Sequence, residues 1–187
     1  LRTQLDLAQV FVDQCVRAFN NGSLTAVDAA KAKLVTSELQ VATADLGVQL
    51  HIDQITGEGV GLQWHWNNSV SRDKIRSERW DRVVLQDRSG GPLEELESFQ
   101  VHARRLDEEI RRQGAKTVFY MTWAKKDDPQ SQKVIADAYG QIATELGAVL
   151  APVGLAWEKA QALDEELNLH HIDDRHANPS GAYLTAC

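Results

Sequence analysis

From Gln4 to about His51, apolar residues recur at helical spacing: Leu5, Ala8, Phe11, Val12, Cys15, Val16 and Phe19 fall three or four positions apart along one stripe. Asn20-Asn21-Gly22 ends this helix, because Gly22 can take the left-handed conformation of a helix cap. Thr25 with Asp28 three residues on resembles a capping box that opens a second helix, expected to run to about Gln49. Its apolar positions are Ala30, Leu34, Val41, Ala44 and Val48. The pattern therefore predicts a helical hairpin over residues 1–51, which needs a partner surface because isolated helix pairs are marginally stable in water.

After Gly57-Glu58-Gly59-Val60-Gly61 the pattern changes to short β-type runs alternating with amphipathic stretches, the grammar of an α/β domain over residues 52–187. Trp80 to Gln86 reads as a buried strand, and Leu93, Leu96, Phe99, Ala103, Leu106 and Ile110 line a helix ending near Gly114. Lys116 to Trp123 is the next strand, Ser131 to Leu146 a helix, Ala148 to Val153 a third strand, and Leu155 to Leu163 a helix. Near-continuous apolar strands predict a short, mostly parallel sheet covered on both faces, a three-layer α/β/α arrangement of flavodoxin-like kind. Ligands of such sheets bind beyond the carboxyl ends of the strands, where Gln86, Trp123 and the loop before His176 are expected to gather.

With 187 residues, 43% of them hydrophobic and 25% charged, the chain fits one globular domain, or one domain with a helical appendage. The net charge of -7 argues against nucleic acid or an anionic membrane surface as partner, since both select basic faces. Cys15 and Cys187 suggest no disulfide framework, so a reducing, cytoplasmic compartment is expected. No apolar run approaches the ~20 residues that span a bilayer. The first residues lack a signal-peptide pattern, and the chain starts without Met, so an upstream part is expected to be missing.

Candidate chemistry concentrates in Asp173-Asp174-Arg175-His176, which places a carboxylate three residues before a histidine at a helix start. Such a carboxylate can fix the imidazole tautomer while the other ring nitrogen takes a proton from a hydroxyl. Ser69, Ser71 and Ser89 are the local hydroxyls to weigh, but none stands in a Gly-x-Ser-x-Gly elbow, so capping, turn or hydrogen-bonding roles are expected. Ser89 attracts more suspicion because it follows Gln86 at a strand end. His65 between Trp64 and Trp66, and His170 with His171, lack zinc spacing. Packing is expected for the tryptophans, and solvent exposure or loop hydrogen bonding for the histidines. Arg104, Arg105, Arg111 and Arg112 are interrupted by Asp107, Glu108 and Glu109, as on a solvated helix face with paired charges. Gly57, Gly59 and Gly61 are no phosphate loop, because no helix with Lys-Ser or Lys-Thr follows. No metal is expected.

Gly59-Val60-Gly61-Leu62, His65-Trp66-Asn67, Trp80 to Ser89, and Asp173 to His176 with Gly181-Ala182-Tyr183-Leu184 together resemble the SGNH (GDSL-type) hydrolase superfamily, over about Thr56 to Cys187. The resemblance implies that His176 is the general base, Asp173 orients it, and the Gly59 backbone N–H helps hold the oxyanion. Gln86 stands where the family usually places an Asn donor to that oxyanion, and its extra methylene shifts the donor. The implied substrate is a small ester or an acylated carbohydrate. The family's nucleophilic serine lies in a Gly-Asp-Ser or Gly-Asn-Ser block before the glycine block. Here the helical hairpin stands in that place, so very weak or no hydrolysis is expected.

Leu1 to Leu5, Phe11 to Cys15, Leu24-Thr25, Ala29 to Lys33, Ser37 to Gln40 and Gln49-Leu50-His51 are similar to the C-terminal helical domain of acyl-CoA dehydrogenases. In that family Gln-Leu-His runs into a glycine-rich stretch that contacts the flavin pyrophosphate. Here Ile52-Asp53-Gln54-Ile55 follows, so Gln49 matches one flavin contact without those glycines. FAD is implied only under the alternative reading as a dehydrogenase fragment, and otherwise no cofactor is expected. A non-catalytic binding protein is the third class. Two partial domains joined near Leu50 to Ile55 would leave apolar sheet exposed, so copies are expected to associate through that sheet or the hairpin.

Overall fold

The computed structural model describes residues 51–186, so the hairpin expected over residues 1–51 lies outside the described residues except for His51. The chain divides into units Leu1–Gln54 and Ile55–Cys187, and the second carries the α/β fold. In chain order it contains α1 (Leu62–Asn67), α2 (Ser69–Ser77), β1 (Arg82–Leu85), α3 (Gly91–Glu94), α4 (Leu96–Arg112), β2 (Lys116–Tyr120), α5 (Ser131–Leu146), β3 (Val149–Ala151), α6 (Val153–Leu163) and α7 (Pro179–Ala186).

The strands form one parallel sheet in the order β1-β2-β3. Arg82 aligns with Lys116 and Leu85 with Phe119, while Val118 aligns with Val149 and Tyr120 with Ala151. Side-chain alternation along β2 serves two cores. Phe119 joins a core filled from α4 and α5 by Phe99, Leu106, Ile110, Ile135, Tyr139 and Ile142. Tyr120 packs instead against a smaller core of Val153, Trp157 and Leu169. Helices thus serve both faces of the central strand, the three-layer plan that the apolar runs imply. Each fully buried Leu or Ile contributes on the order of 1.5–3 kcal/mol through area removed from water.

α4 forms because Phe99, Ala103, Leu106 and Ile110 repeat at three and four residues and all face the first core. Gly114 ends the connection with φ +80°, a conformation that favours glycine, and the chain enters β2. α5 is capped by Gly147 at φ 59°, whose N–H donates to the Ala143 carbonyl.

Several expectations need correction. Val84 is 59% exposed and Val149 51%, so the described residues do not cover both faces of the sheet throughout. Both residues sit on outer strands, beyond the reach of the covering helices among the described residues. The helix expected from Leu93 is interrupted: Gly91-Pro92 opens the single turn of α3, Glu95 takes φ -141° and ψ 51°, and α4 starts afresh at Leu96. Leu93 and Leu96 are consequently exposed. The third strand stops at Ala151 because Pro152 supplies no N–H and Val153 opens α6. α1 and α2 were not apparent from periodicity, because together they bury only Leu62, Ser71 and Ile75. The side-chain oxygen of Asn68 accepts the Val70 N–H at 3.0 Å and caps α2.

The arginine-rich face of α4 carries paired charges, as expected, but the pairs also tie helices together. Arg76 of α2 donates to buried Glu109 at 2.8 and 2.9 Å, and Arg104 reaches Glu145 of α5 at 2.6 and 2.8 Å. Buried Asp107 accepts from Thr117 Oγ1 at 2.7 Å and from Arg111 Nε at 2.7 Å.

Candidate active site

The loop between α6 and α7 is folded around one carboxylate. Asp173 Oδ1 accepts the backbone N–H groups of Arg175 and His176, each at 3.0 Å. Its Oδ2 meets His176 Nδ1 at 2.5 Å. With the carboxylate ionised, Nδ1 is the donor, and Nε2 is left to accept a proton. The His176 side chain is 82% exposed, so that nitrogen is open to an incoming group. Burial pushes the Asp173 carboxyl upward, but the His176 ring and the two backbone N–H groups outweigh it and hold the carboxyl far below the usual carboxylate range.

The folded Asp173 has the lower pKa, so its pairing favours the folded state above the unfolded value of about 3.9, and that contribution fades as pH falls through the folded value. We expect the Asp173 carboxyl ¹³C resonance to hold its ionised position from neutral pH down to about pH 3. An ordinary carboxylate midpoint would contradict the pairing.

The loop is anchored to the carboxyl end of β2. Trp123 Nε1–H donates to the Arg175 carbonyl at 2.8 Å, and Lys126 N–H donates to the Asp174 carbonyl at 3.0 Å. The Trp123 ring stacks on Trp157 with centroids 4.1 Å apart and planes 9° apart. His170, edge-on to Trp157, donates from Nε2 to the Ala124 carbonyl at 2.9 Å. His171 N–H closes the loop on the His176 carbonyl at 2.7 Å, and Asp174 turns it with φ 57°, a conformation that Asp tolerates better than most residues. His170 is therefore buried; of the two roles expected for it, loop hydrogen bonding is the one found.

The other implied residues lie at the glycine loop and at the end of β1. Gly59, at φ 63°, lines a cleft of about 290 Å³ together with Gly61, Trp64, Asp87, Arg88 and Glu95. Gln86 is exposed just beyond β1, and its neighbour Asp87 rather than Gln86 lines the cleft. Trp64 is 38% exposed on the cleft wall, which corrects the expectation that it packs inside, whereas Trp66 does pack against the core. Arg88 donates to Glu94 at 2.7 Å and holds its carboxyl low, with smaller contributions from Lys125 and Arg175. Asp173 and His176 are in contact; Gly59 and Gln86 stand in the two segments beside the cleft.

Ser71 Oγ bonds His65 Nδ1 at 3.0 Å and is buried, while Ser69 and Ser89 are exposed. Burial lowers the His65 pKa. Among the described residues no hydroxyl is bonded to His176. Among them, too, no three His, Cys, Asp or Glu side chains gather as a metal site, and no helix is long and apolar enough to cross a membrane. Gln49, the flavin-contact match, lies outside the described residues. Trp123, expected at the carboxyl ends of the strands, is found there against the His176 loop, whereas the places of Asp87 and Trp157 do not follow from the sequence pattern. The one available signal was an acid directly after Gln86 and shortly before Gly90-Gly91.

No protein-family model matches the chain, and no curated protein matches it. Solved structures do. A protein provisionally assigned as an SGNH hydrolase, from Slackia heliotrinireducens, is 27% identical with a TM-score of 0.60, over 68% of this chain and 76% of that one. TesA is 16% identical with a TM-score of 0.59, over 80% of this chain and 82% of its own. A DUF4886 family protein from Bacteroides uniformis is 20% identical with a TM-score of 0.56, over 69% of this chain and 65% of its own. The last two bear on the fold alone. None of these likenesses supports the dehydrogenase resemblance of residues 1–51. The α/β unit has the SGNH-hydrolase fold.

Proposed function

We propose that the α/β unit is a serine-type ester-hydrolase domain for acyl or acetyl esters, including those on carbohydrates, and that by itself it turns them over very weakly or not at all. The observation that carries this reading is the Asp173–His176 pair, whose ring Nδ1 is committed to the carboxylate while no hydroxyl among the described residues bonds the ring. In a complete site of this kind a serine hydroxyl attacks the ester carbonyl as His176 Nε2 takes its proton. Asp173 holds the ring and stabilises the imidazolium, and His176 returns the proton to the leaving alcohol. The Gly59 backbone N–H and the Gln86 amide are the donors assigned to the developing oxyanion.

The test is hydrolysis of p-nitrophenyl acetate by the purified chain and by His176→Ala. We expect no acyl-enzyme burst and no serine-esterase turnover from either protein. A serine-esterase rate that disappears in His176→Ala would show that a hydroxyl nucleophile is present and would overturn the inactivity.

A further inference from the structure

Asp87 stands two residues beyond β1 and is only 6% exposed. A buried carboxylate is costly unless it is hydrogen-bonded, and Asp87 accepts a bond at Oδ2. Oδ2 accepts the N–H of Leu62 at 2.9 Å, across 25 residues of sequence. A Cβ built on Gly61 would lie 2.7 Å from Oδ1, and one built on Gly91 only 1.9 Å away. Neither position therefore admits a side chain while the carboxylate occupies this place. Asp87 N–H in turn donates to Tyr139 Oη at 3.1 Å, which fixes its backbone from α5. One side chain thus gathers the glycine loop, the end of β1 and the start of α3 around the cleft.

We propose that Asp87 is the positioning residue of the glycine loop: its carboxylate sets where Gly59 stands on the cleft wall, and through Gly59 it sets one oxyanion donor. The role given to Gly59 rests on the ester-hydrolase reading; the clamp itself does not. Burial pushes the Asp87 carboxyl above its ordinary value of 3.8, the Leu62 and Arg88 N–H groups and the Arg88 charge pull it back, and Glu95 pushes it further up. Tyr139 faces it from α5 as a neutral phenol, its pKa raised by burial.

The experiment is a pH titration of the ¹⁵N-labelled full chain and of Asp87→Asn, following backbone amide resonances through the carboxylate range. We expect the Leu62 and Gly59 amides to move with one shared midpoint above 3.8 in the unmodified chain. In Asp87→Asn that transition should vanish and the Gly59 resonance should be displaced at every pH. The Arg175 and His176 amides, bound to Asp173, should stay in place. If Leu62 titrates while Gly59 ignores both the titration and the substitution, Asp87 only fills the interior and the proposal is overturned. Should Asp87→Asn fail to fold, the Gly59 titration in the unmodified chain decides alone. Missing ester chemistry would leave these shifts untouched, so failure of the hydrolase reading and failure of the clamp are separately visible.

Discussion

Trp157→Ala is expected to destabilise the α/β unit by about 3–5 kcal/mol, the range for deleting a large aromatic side chain from a packed interior. The indole is 1% exposed, stacks on Trp123 and meets the ring of His170, and its Nε1–H donates to Thr185 Oγ1 at 3.1 Å. It projects from α6 to meet α7, and among the described residues the other buried apolar members of the second core are Val153 and Leu169. So small a core has few neighbours to collapse into the space. The loss should appear as a lowered urea midpoint with an unchanged slope. Because Trp123 donates to the Arg175 carbonyl, the His176 loop should loosen with it, read as faster amide exchange at Arg175 and His176. A cost below about 1 kcal/mol would mean that this core is not closed around Trp157.

Gly181→Ala is expected to cost about 1–3 kcal/mol from the opposite cause, overpacking. A Cβ at Gly181 would lie 2.3 Å from the Leu169 carbonyl oxygen and 2.6 Å from Trp157 Cζ2. The first of these is backbone, so the contact is relieved only if α7 moves away from the segment before His170. That segment and the residue after His176 form the His170–Ala177 bridge, and Asn178 N–H donates to the Leu169 carbonyl at 2.9 Å. The strain therefore falls on the stem of the Asp173–His176 loop. Denaturant unfolding measures the cost, and the His176 ring resonances report whether the pairing survives. An alanine variant as stable as the parent would contradict the close approach.

Much of this architecture was legible in the chain because its signals are local. The helix expected over Ser131 to Leu146 is found with those ends, because its apolar period is carried by neighbouring turns. The spacing of Asp173 and His176 placed two partners within one turn of loop, where they meet. What escaped the sequence depends on residues far apart in it. The burial of Asp87 arises because Leu62 and Gly61, 25 and 26 positions earlier, fold over it; Asp81 on the other flank of the same strand stays exposed. The stacking of Trp157 on Trp123 joins α6 to the loop after β2. The exposure of Val84 follows from the place of β1 at the end of the sheet order, which an apolar run cannot reveal.

We propose that Asp173 and His176 are a base and its orienting carboxylate, and that no hydroxyl among the described residues stands beside the ring to be activated. The most direct test is intact-mass spectrometry of the full chain after incubation with a fluorophosphonate, which phosphonylates an activated serine with loss of fluoride. The account predicts an unshifted mass, identical for the unmodified chain and for His176→Ala. A single stoichiometric adduct that disappears in His176→Ala would contradict it, and peptide mapping of that adduct would name the nucleophile.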